Sequence, residues 1–397
     1  MEQYKKIKLK PKKERSLKRF HPWVFSGAIS SLPKDIQEGE VVSVYANDNT
    51  FLGVGHYQIG SIAVRILSFN KREINACFFE EQIEKAYQMR QAIGLIRPDN
   101  TAYRLVHGEG DFLAGLIIDV YGTLAVVQAH SVGMHLFKDM IATSLKKVLG
   151  QSIEHIYYKS EGTLPYKAPI NPIDSFLLGG KHELEKIVIE NNLKFYIDWK
   201  KGQKTGFFID QRQNRSLLEA YSNKRTVLNM FCYTGAFSVY AMRGGAKKVV
   251  GVDSSAKAVM WADKNVRLNF DDDERYTGLV EDAFKFFGDM SEDIYDLIIL
   301  DPPAFARHRG AVRNALQGYK NLNTLAFEKI AKGGIVFTFS CSQIITPTQF
   351  RLAVFSAAAI SGRSVRILHQ LTQPADHPIN IYHPESEYLK GLVLQVI

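Results

Sequence analysis

An aspartate and a cysteine forty residues apart, Asp301 and Cys341, each follow an apolar run too short to be a helix standing alone. The runs are Tyr-Asp-Leu-Ile-Ile-Leu over 295–300 and Ile-Val-Phe-Thr-Phe over 335–339. As neighbouring strands of a doubly wound sheet they would set a carboxylate and a thiol side by side at the carboxyl edge, where such sheets bind ligands. Asp301 opens the run Asp301-Pro302-Pro303-Ala304-Phe305, and Cys341 lies between Ser340 and Ser342. A free thiol is more often a small buried hydrophobe than a nucleophile. At a ligand-binding edge beside an acid it becomes a candidate for covalent chemistry. The two prolines stiffen the loop that would hold a substrate, and Phe305 is placed to stack on a flat ring or simply to pack.

The elements that must position this pair begin near residue 190, after which strands and helices alternate as in an α/β domain with a mostly parallel sheet. Residues 226–231 read as a strand, 232–237 as a small-residue turn, and a helix opens at Ser238. The stretch holding Asn229, Phe231, Tyr233, Thr234, Gly235, Ala236 and Phe237 would let a cofactor approach backbone amides at a helix N-terminus. It is not GxGxxG, which disfavours a nicotinamide dinucleotide. The next strand ends in Asp253, followed by Ser254; an acid there suits a ribose diol, and it can also cap the following helix. A third strand ends in Glu281-Asp282-Ala283-Phe284, an acid and an aromatic suited to an adenine amino group and its ring face.

A chain of 397 residues has room for two or three domains. Its net charge of +9 favours a polyanionic partner, nucleic acid first. Lys5, Lys6, Lys8, Lys10, Lys12, Lys13, Arg15, Lys18 and Arg19 crowd the opening against only Glu2 and Glu14. A charge run of this kind is a solvated tail or a phosphate-binding face. Phe20-His21-Pro22-Trp23-Val24-Phe25 and glycine-punctuated strands follow it, so residues 1–72 read as a small β-rich module able to grip phosphates, with Lys10, Lys12 and Arg19 as RNA contacts. Residues 73–190 read as an α+β middle domain, with helices over 78–93 and 133–149 and with Asp111 and Asp119 as turn or hairpin residues. The third domain spans 191–397. Cys77, Cys232 and Cys341 lack metal-site spacing, so no metal is expected, and the usage suits a reducing cytoplasm. No apolar run reaches the length of a membrane span or a signal peptide core, so no membrane partner is expected.

In order, Asn229 to Phe237, Val252-Asp253, Glu281-Asp282-Ala283, Asp301 to Phe305 and Ser340-Cys341-Ser342 resemble the class I S-adenosylmethionine-dependent RNA methyltransferases. The whole chain is similar to the bacterial large-subunit (23S) rRNA cytosine-5 methyltransferases that carry an N-terminal PUA domain. Lys10-Pro11 and the run Arg19 to Gly27 resemble the start of that domain, and Tyr103 to Asp111 its middle domain. Gln203 to Arg212 resembles a cofactor-side motif, and Glu387-Tyr388-Leu389-Lys390-Gly391 a C-terminal strand. Ser386 stands where related chains often have glycine, a departure confined to one turn. The resemblance implies a Rossmann-like domain with a seven-stranded sheet whose last strand is antiparallel, and S-adenosylmethionine as cofactor. It also implies Lys204 and Thr205 as cofactor contacts, and Arg212, Pro302, Pro303 and Phe305 as substrate contacts. The implied partner is 23S rRNA, presenting a single-stranded or flipped-out cytosine, and a homodimer is compatible with it.

Carbon 5 of cytosine is too weak a nucleophile to attack a sulfonium methyl unaided. Addition of a thiolate at carbon 6 makes it enamine-like. On this reading Cys341 is the nucleophile and Asp301 holds the ring at nitrogen 3 and the exocyclic amine. Two rivals stay open: a guanine-N2 methyltransferase, which would share Asp-Pro-Pro and need no thiol, and a ribosome-binding relic of the fold without catalysis.

Overall fold

The lysine-rich opening of the chain folds as a strand, β1 (Lys5–Leu9), which buries Ile7 and Leu9. Alternation along the strand leaves Lys6 and Lys8 on the other face. The computed structural model describes residues 4–165, 170–180, 187–271, 273–306 and 308–397. Contacts divide the chain into two units: 1–188 with 197–209 and 375–386, and 189–196 with 210–374 and 387–397.

In the first unit β1 joins β2 (Trp23–Phe25), β3 (Ile29–Ser31), β4 (Val41–Tyr45), β5 (Phe51–Tyr57) and β6 (Ile62–Ser68) in a sheet of order β2-β6-β5-β4-β1-β3. Its core gathers Ile7, Leu9, Val24, Val42, Val44 and Val64. A second sheet of order β11-β10-β9-β8-β7 contains β7 (Ala102–His107), β8 (Leu116–Tyr121), β9 (Leu124–Ala129), β10 (His155–Tyr158) and β11 (Ser175–Leu178). Against it pack α1 (Ala76–Ala92), capped by the Asn75 side chain, and α3 (Lys138–Leu149). The helix expected over 133–149 is interrupted at Phe137, which separates α3 from the short α2 (Val132–Leu136).

Asp111 and Asp119 are more than turn residues. Arg90, fully buried at the end of α1, makes a bidentate pair with Asp111 at 2.5 and 2.8 Å and also donates to the carbonyls of Arg104 and Asp376. Asp119 lies inside β8, fully buried, and pairs bidentately with Arg104 at 2.7 and 2.8 Å. Fork-to-fork pairing satisfies charges that burial would otherwise penalise.

The second unit contains β13 (Leu193–Tyr196), paired with β12 (Ile187–Glu190), and α4 (Arg212–Tyr221). A seven-stranded sheet follows, with β14 (Thr226–Met230), β15 (Lys248–Asp253), β16 (Tyr276–Val280), β17 (Leu297–Leu300), β18 (Gly334–Ser340), β19 (Val365–Thr372) and β20 (Lys390–Val396). Its order is β16-β15-β14-β17-β18-β20-β19. The expected seven strands are present, and β20 runs antiparallel to both of its neighbours. The intervening helices are α5 (Ala236–Arg243), α6 (Ala256–Asn269), α7 (Ala283–Asp289), α8 (Val312–Lys329) and α9 (Pro347–Ser361). β17 and β18 are wholly buried, which explains why both read as continuous apolar runs without alternation.

Candidate active site

Register aligns the carboxyl ends of the central strands. Met230 pairs with both Val252 and Leu300, Asp253 with Val280, and Leu300 with Thr338. The loops after β14, β15, β16, β17 and β18 therefore open on one edge, and they carry Phe231 to Gly235, Ser254, Asp282, Asp301 and Cys341.

The loop after β14 has left-handed backbone at alternate positions, with φ of 58° at Phe231, 47° at Tyr233 and 75° at Gly235. Bulky residues rarely adopt this conformation, and it clusters at functional sites. Gly235 is required there twice over, since a Cβ would also sit 2.7 Å from the Ala262 side chain. The Asp253 carboxylate is held by the Tyr233 amide at 3.0 Å and the Ser255 amide at 2.9 Å. It is half-buried, and each oxygen keeps lone-pair capacity for a hydroxyl. Ser254 is exposed beside it. Asp282 caps α7 by accepting from the Phe284 and Lys285 amides. Val280 and Phe284 are 54% and 42% exposed, an uncovered apolar surface next to these acids. Carboxylates for a diol and an amine, with apolar area for a purine between them, fit an adenosine-bearing cofactor. Asn229, Phe237 and Ala283 are buried; Asn229 donates to Ser238 at 2.9 Å, and Phe237 packs on Phe339.

Opposite this surface, the Cys341 thiol lies 3.9 Å from the Pro302 carbonyl oxygen, and Cys341 and Asp301 are both half-exposed. Pro303 is exposed and Pro302 buried. Phe305 stacks at a tilt on Tyr319 with centroids 4.7 Å apart. Tyr319, fully buried on α8, fastens both flanks of the cysteine: Ser340 Oγ donates to its hydroxyl at 2.9 Å, and Ser342 Oγ lies 3.1 Å from it. The Ala306 amide donates to Ser342 Oγ at 3.4 Å, tying the Asp-Pro-Pro loop to the cysteine loop. From β20, Lys390 donates to the carbonyls of Ser342 and Tyr388, each at 2.6 Å. Neither Tyr319 nor Lys390 was singled out by spacing. Of the other thiols, Cys232 is buried and its pKa is pushed well up, chiefly by burial and then by Asp253; Cys77 lies on α1 of the first unit.

The remaining expected site residues are spread over both units. Lys10, Lys12 and Arg19 are exposed in the first unit, where the Lys10 ammonium donates to the Gly27 carbonyl. Lys204 and Thr205 also belong to the first unit. Thr205 is buried, donates to Asp119 at 2.6 Å and contacts the Tyr121 hydroxyl at 2.9 Å, while Lys204 is exposed with its ammonium over the Phe208 ring. Arg212 is buried on α4 with Nε 3.5 Å from Glu190. Among the described residues no helix is long and apolar enough to cross a membrane.

Comparison with known proteins agrees with this architecture. Residues 171–391 match the S-adenosylmethionine-dependent methyltransferase family, and residues 7–69 match a PUA-like domain. A protein named ribosomal RNA large subunit methyltransferase I, from Pseudoalteromonas atlantica, is 38% identical over 397 residues, covering 99% of each chain. Its namesake in Aeromonas hydrophila is 38% identical over 390 residues, covering 96% of this chain and 97% of its own. A solved structure of a protein described as a methyltransferase complexed with SAH superimposes with a TM-score of 0.85 at 25% identity, covering 99% of this chain and all of that one.

Proposed function

This chain belongs to the S-adenosylmethionine-dependent methyltransferases, in the family of the ribosomal RNA large subunit methyltransferase I proteins, and on that premise we propose that it methylates carbon 5 of a cytosine in 23S rRNA. The observation that carries the reading is the half-exposed Cys341 thiol facing the Asp-Pro-Pro loop at the sheet edge. A guanine-N2 transfer would give that thiol nothing to do. S-adenosylmethionine supplies an electrophilic methyl group and leaves as S-adenosylhomocysteine.

In this reading the Cys341 thiolate adds to carbon 6 of the cytosine, and the electron pair of the 5,6 double bond moves to carbon 5. Carbon 5 takes the methyl group, loses its proton, and the re-forming double bond expels the thiolate. Asp301 orients the ring through nitrogen 3 and the exocyclic amine. Pro302, Pro303 and Phe305 border the base, and Asp253, Ser254, Asp282 and the turn from Phe231 to Phe237 hold the cofactor. Residues 1–72 supply salt-sensitive RNA affinity through Lys10, Lys12 and Arg19, residues 73–190 form the middle domain, and residues 191–397 carry the chemistry.

The test is covalent trapping. Wild-type protein, S-adenosylmethionine and an rRNA fragment containing 5-azacytidine should yield an adduct stable to denaturation, and Cys341→Ala should yield none. Methylation of unsubstituted RNA at guanine without any trapped adduct would refute the cytosine reading.

A further inference from the structure

We propose that Lys390 is the positioning residue that keeps Cys341 in its thiolate form, its ammonium serving as the fixed counter-charge to the sulfur; this rests on Cys341 being the nucleophile. Lys390 opens β20, and its Cα pairs with that of Ser340, the last residue of β18 and the one before Cys341. Its side chain is buried at 6% exposure. The ammonium donates to the carbonyl of Ser342, the residue after Cys341, and to that of Tyr388. It is thus anchored beside the cysteine by the strand on one side and by the loop on the other.

Among the described residues this buried ammonium meets only neutral carbonyls, and so lacks the anion that normally accompanies such a charge. The groups that act on it electrostatically are Cys341 and Glu387; Glu387 is exposed and, among the described residues, outside ion-pair reach. A thiolate at Cys341 supplies the missing partner. Among the described residues, other ionisable groups on the elements around the cysteine loop are Tyr319 from α8, whose burial raises its pKa and keeps it a neutral phenol, and Asp301, which follows β17 and as a carboxylate opposes a thiolate. Lys390 is the cation among these described groups. Burial pulls its own pKa down to about 8, with Cys341 and Glu387 pushing back, so the ammonium form still predominates at neutral pH. Cysteines beside a lysine or arginine have depressed pKa values, and such a pair titrates as a unit.

The experiment is alkylation of the full-length protein by iodoacetamide across pH 5–10, followed at the Cys341 peptide by mass spectrometry, without RNA or cofactor. In the wild type the midpoint should lie below the ordinary thiol value of about 8.5. In Lys390→Met it should rise by about one pH unit, with about tenfold slower alkylation at neutral pH. Lys390→Arg should restore the low midpoint. Alkylation of Cys77 in the same molecules should be unchanged. A merely structural lysine would alter accessibility without moving the midpoint. An unshifted midpoint in folded Lys390→Met overturns the proposal. So does a wild-type midpoint at or above the ordinary value, which needs no variant to fold. Trapping on 5-azacytidine with no effect of Lys390 on alkylation would sink this inference alone. A low, Lys390-dependent midpoint without trapping would sink the cytosine reading instead.

Discussion

Replacing Tyr319 by phenylalanine removes one hydroxyl from beneath the Cys341 loop and tests how that loop is held. The side chain is fully buried, so the shape is kept while the hydroxyl's contacts with Ser340, at 2.9 Å, and Ser342, at 3.1 Å, are lost. Ser340 is buried as well, and its donor then points at a ring edge. An orphaned buried donor costs about 1–3 kcal/mol. In a domain of this size that corresponds to a fall in Tm of about 2–4 °C per kcal/mol. The kinetic effect should be larger, because a misplacement of about 1 Å at a reacting group can cost about a hundredfold in rate. Single-turnover methylation at saturating RNA should fall about ten- to a hundredfold, with S-adenosylhomocysteine affinity unchanged because the hydroxyl's partners, Ser340 and Ser342, flank the cysteine. Thermal unfolding, cofactor titration and single-turnover methylation together decide the matter. A lowered Tm with an undiminished rate would refute the positioning role; an unchanged Tm would refute the hydrogen bonds themselves.

Two further perturbations probe the first unit. His56 is fully buried, stacked on Phe137, and among the described residues has no hydrogen-bond partner at either ring nitrogen. Burial, reinforced by Arg65, lowers its pKa to about 3. Between that value and about 6.5 the unfolded chain binds a proton that the folded one refuses, so stability is lost as pH falls through this window. His56→Phe should narrow the difference in Tm between pH 7.5 and pH 5, and an equal loss in both proteins would count against the assignment. Replacing Lys10, Lys12 and Arg19 together by alanine should reduce the slope of log affinity for an rRNA fragment against log salt by about 2, at about 0.7 per single-strand phosphate contact. Fluorescence anisotropy between 50 and 200 mM salt reads this directly, and an unchanged slope would remove these residues from the RNA-binding face.

The central parallel strands β15, β17 and β18 were legible because they are largely buried, so their sequences are mostly apolar and end abruptly at Asp253, Asp301 and Cys341. That abruptness alone points to the acid and the thiol at one edge. Lys390 and Tyr319 could not be found in the same way. The first reaches the site through antiparallel pairing of β20 with β18, and the second through packing of α8, so neither has a fixed sequence distance from Cys341. Asp119 misled for a related reason: an aspartate among hydrophobics reads as a turn unless its buried partner, here Arg104, is known. The stretch 375–386 has no period at all, since it lies in the first unit as irregular chain held by side chains such as Asp376 and Asn380.

That stretch also sets an order of events during synthesis. Arg90 is joined to Asp376 across 286 residues, and Asn380 to Glu109 across 271. At about 5–20 residues per second, roughly 15–60 s separate the emergence of Arg90 from that of its last acceptor. For that interval the unit begun first is incomplete, while most of the catalytic sheet is already being added behind it. Neither unit is a continuous piece of chain, and a cut near residue 190 leaves 197–209 and 375–386, both parts of the first unit, on the fragment that carries the second.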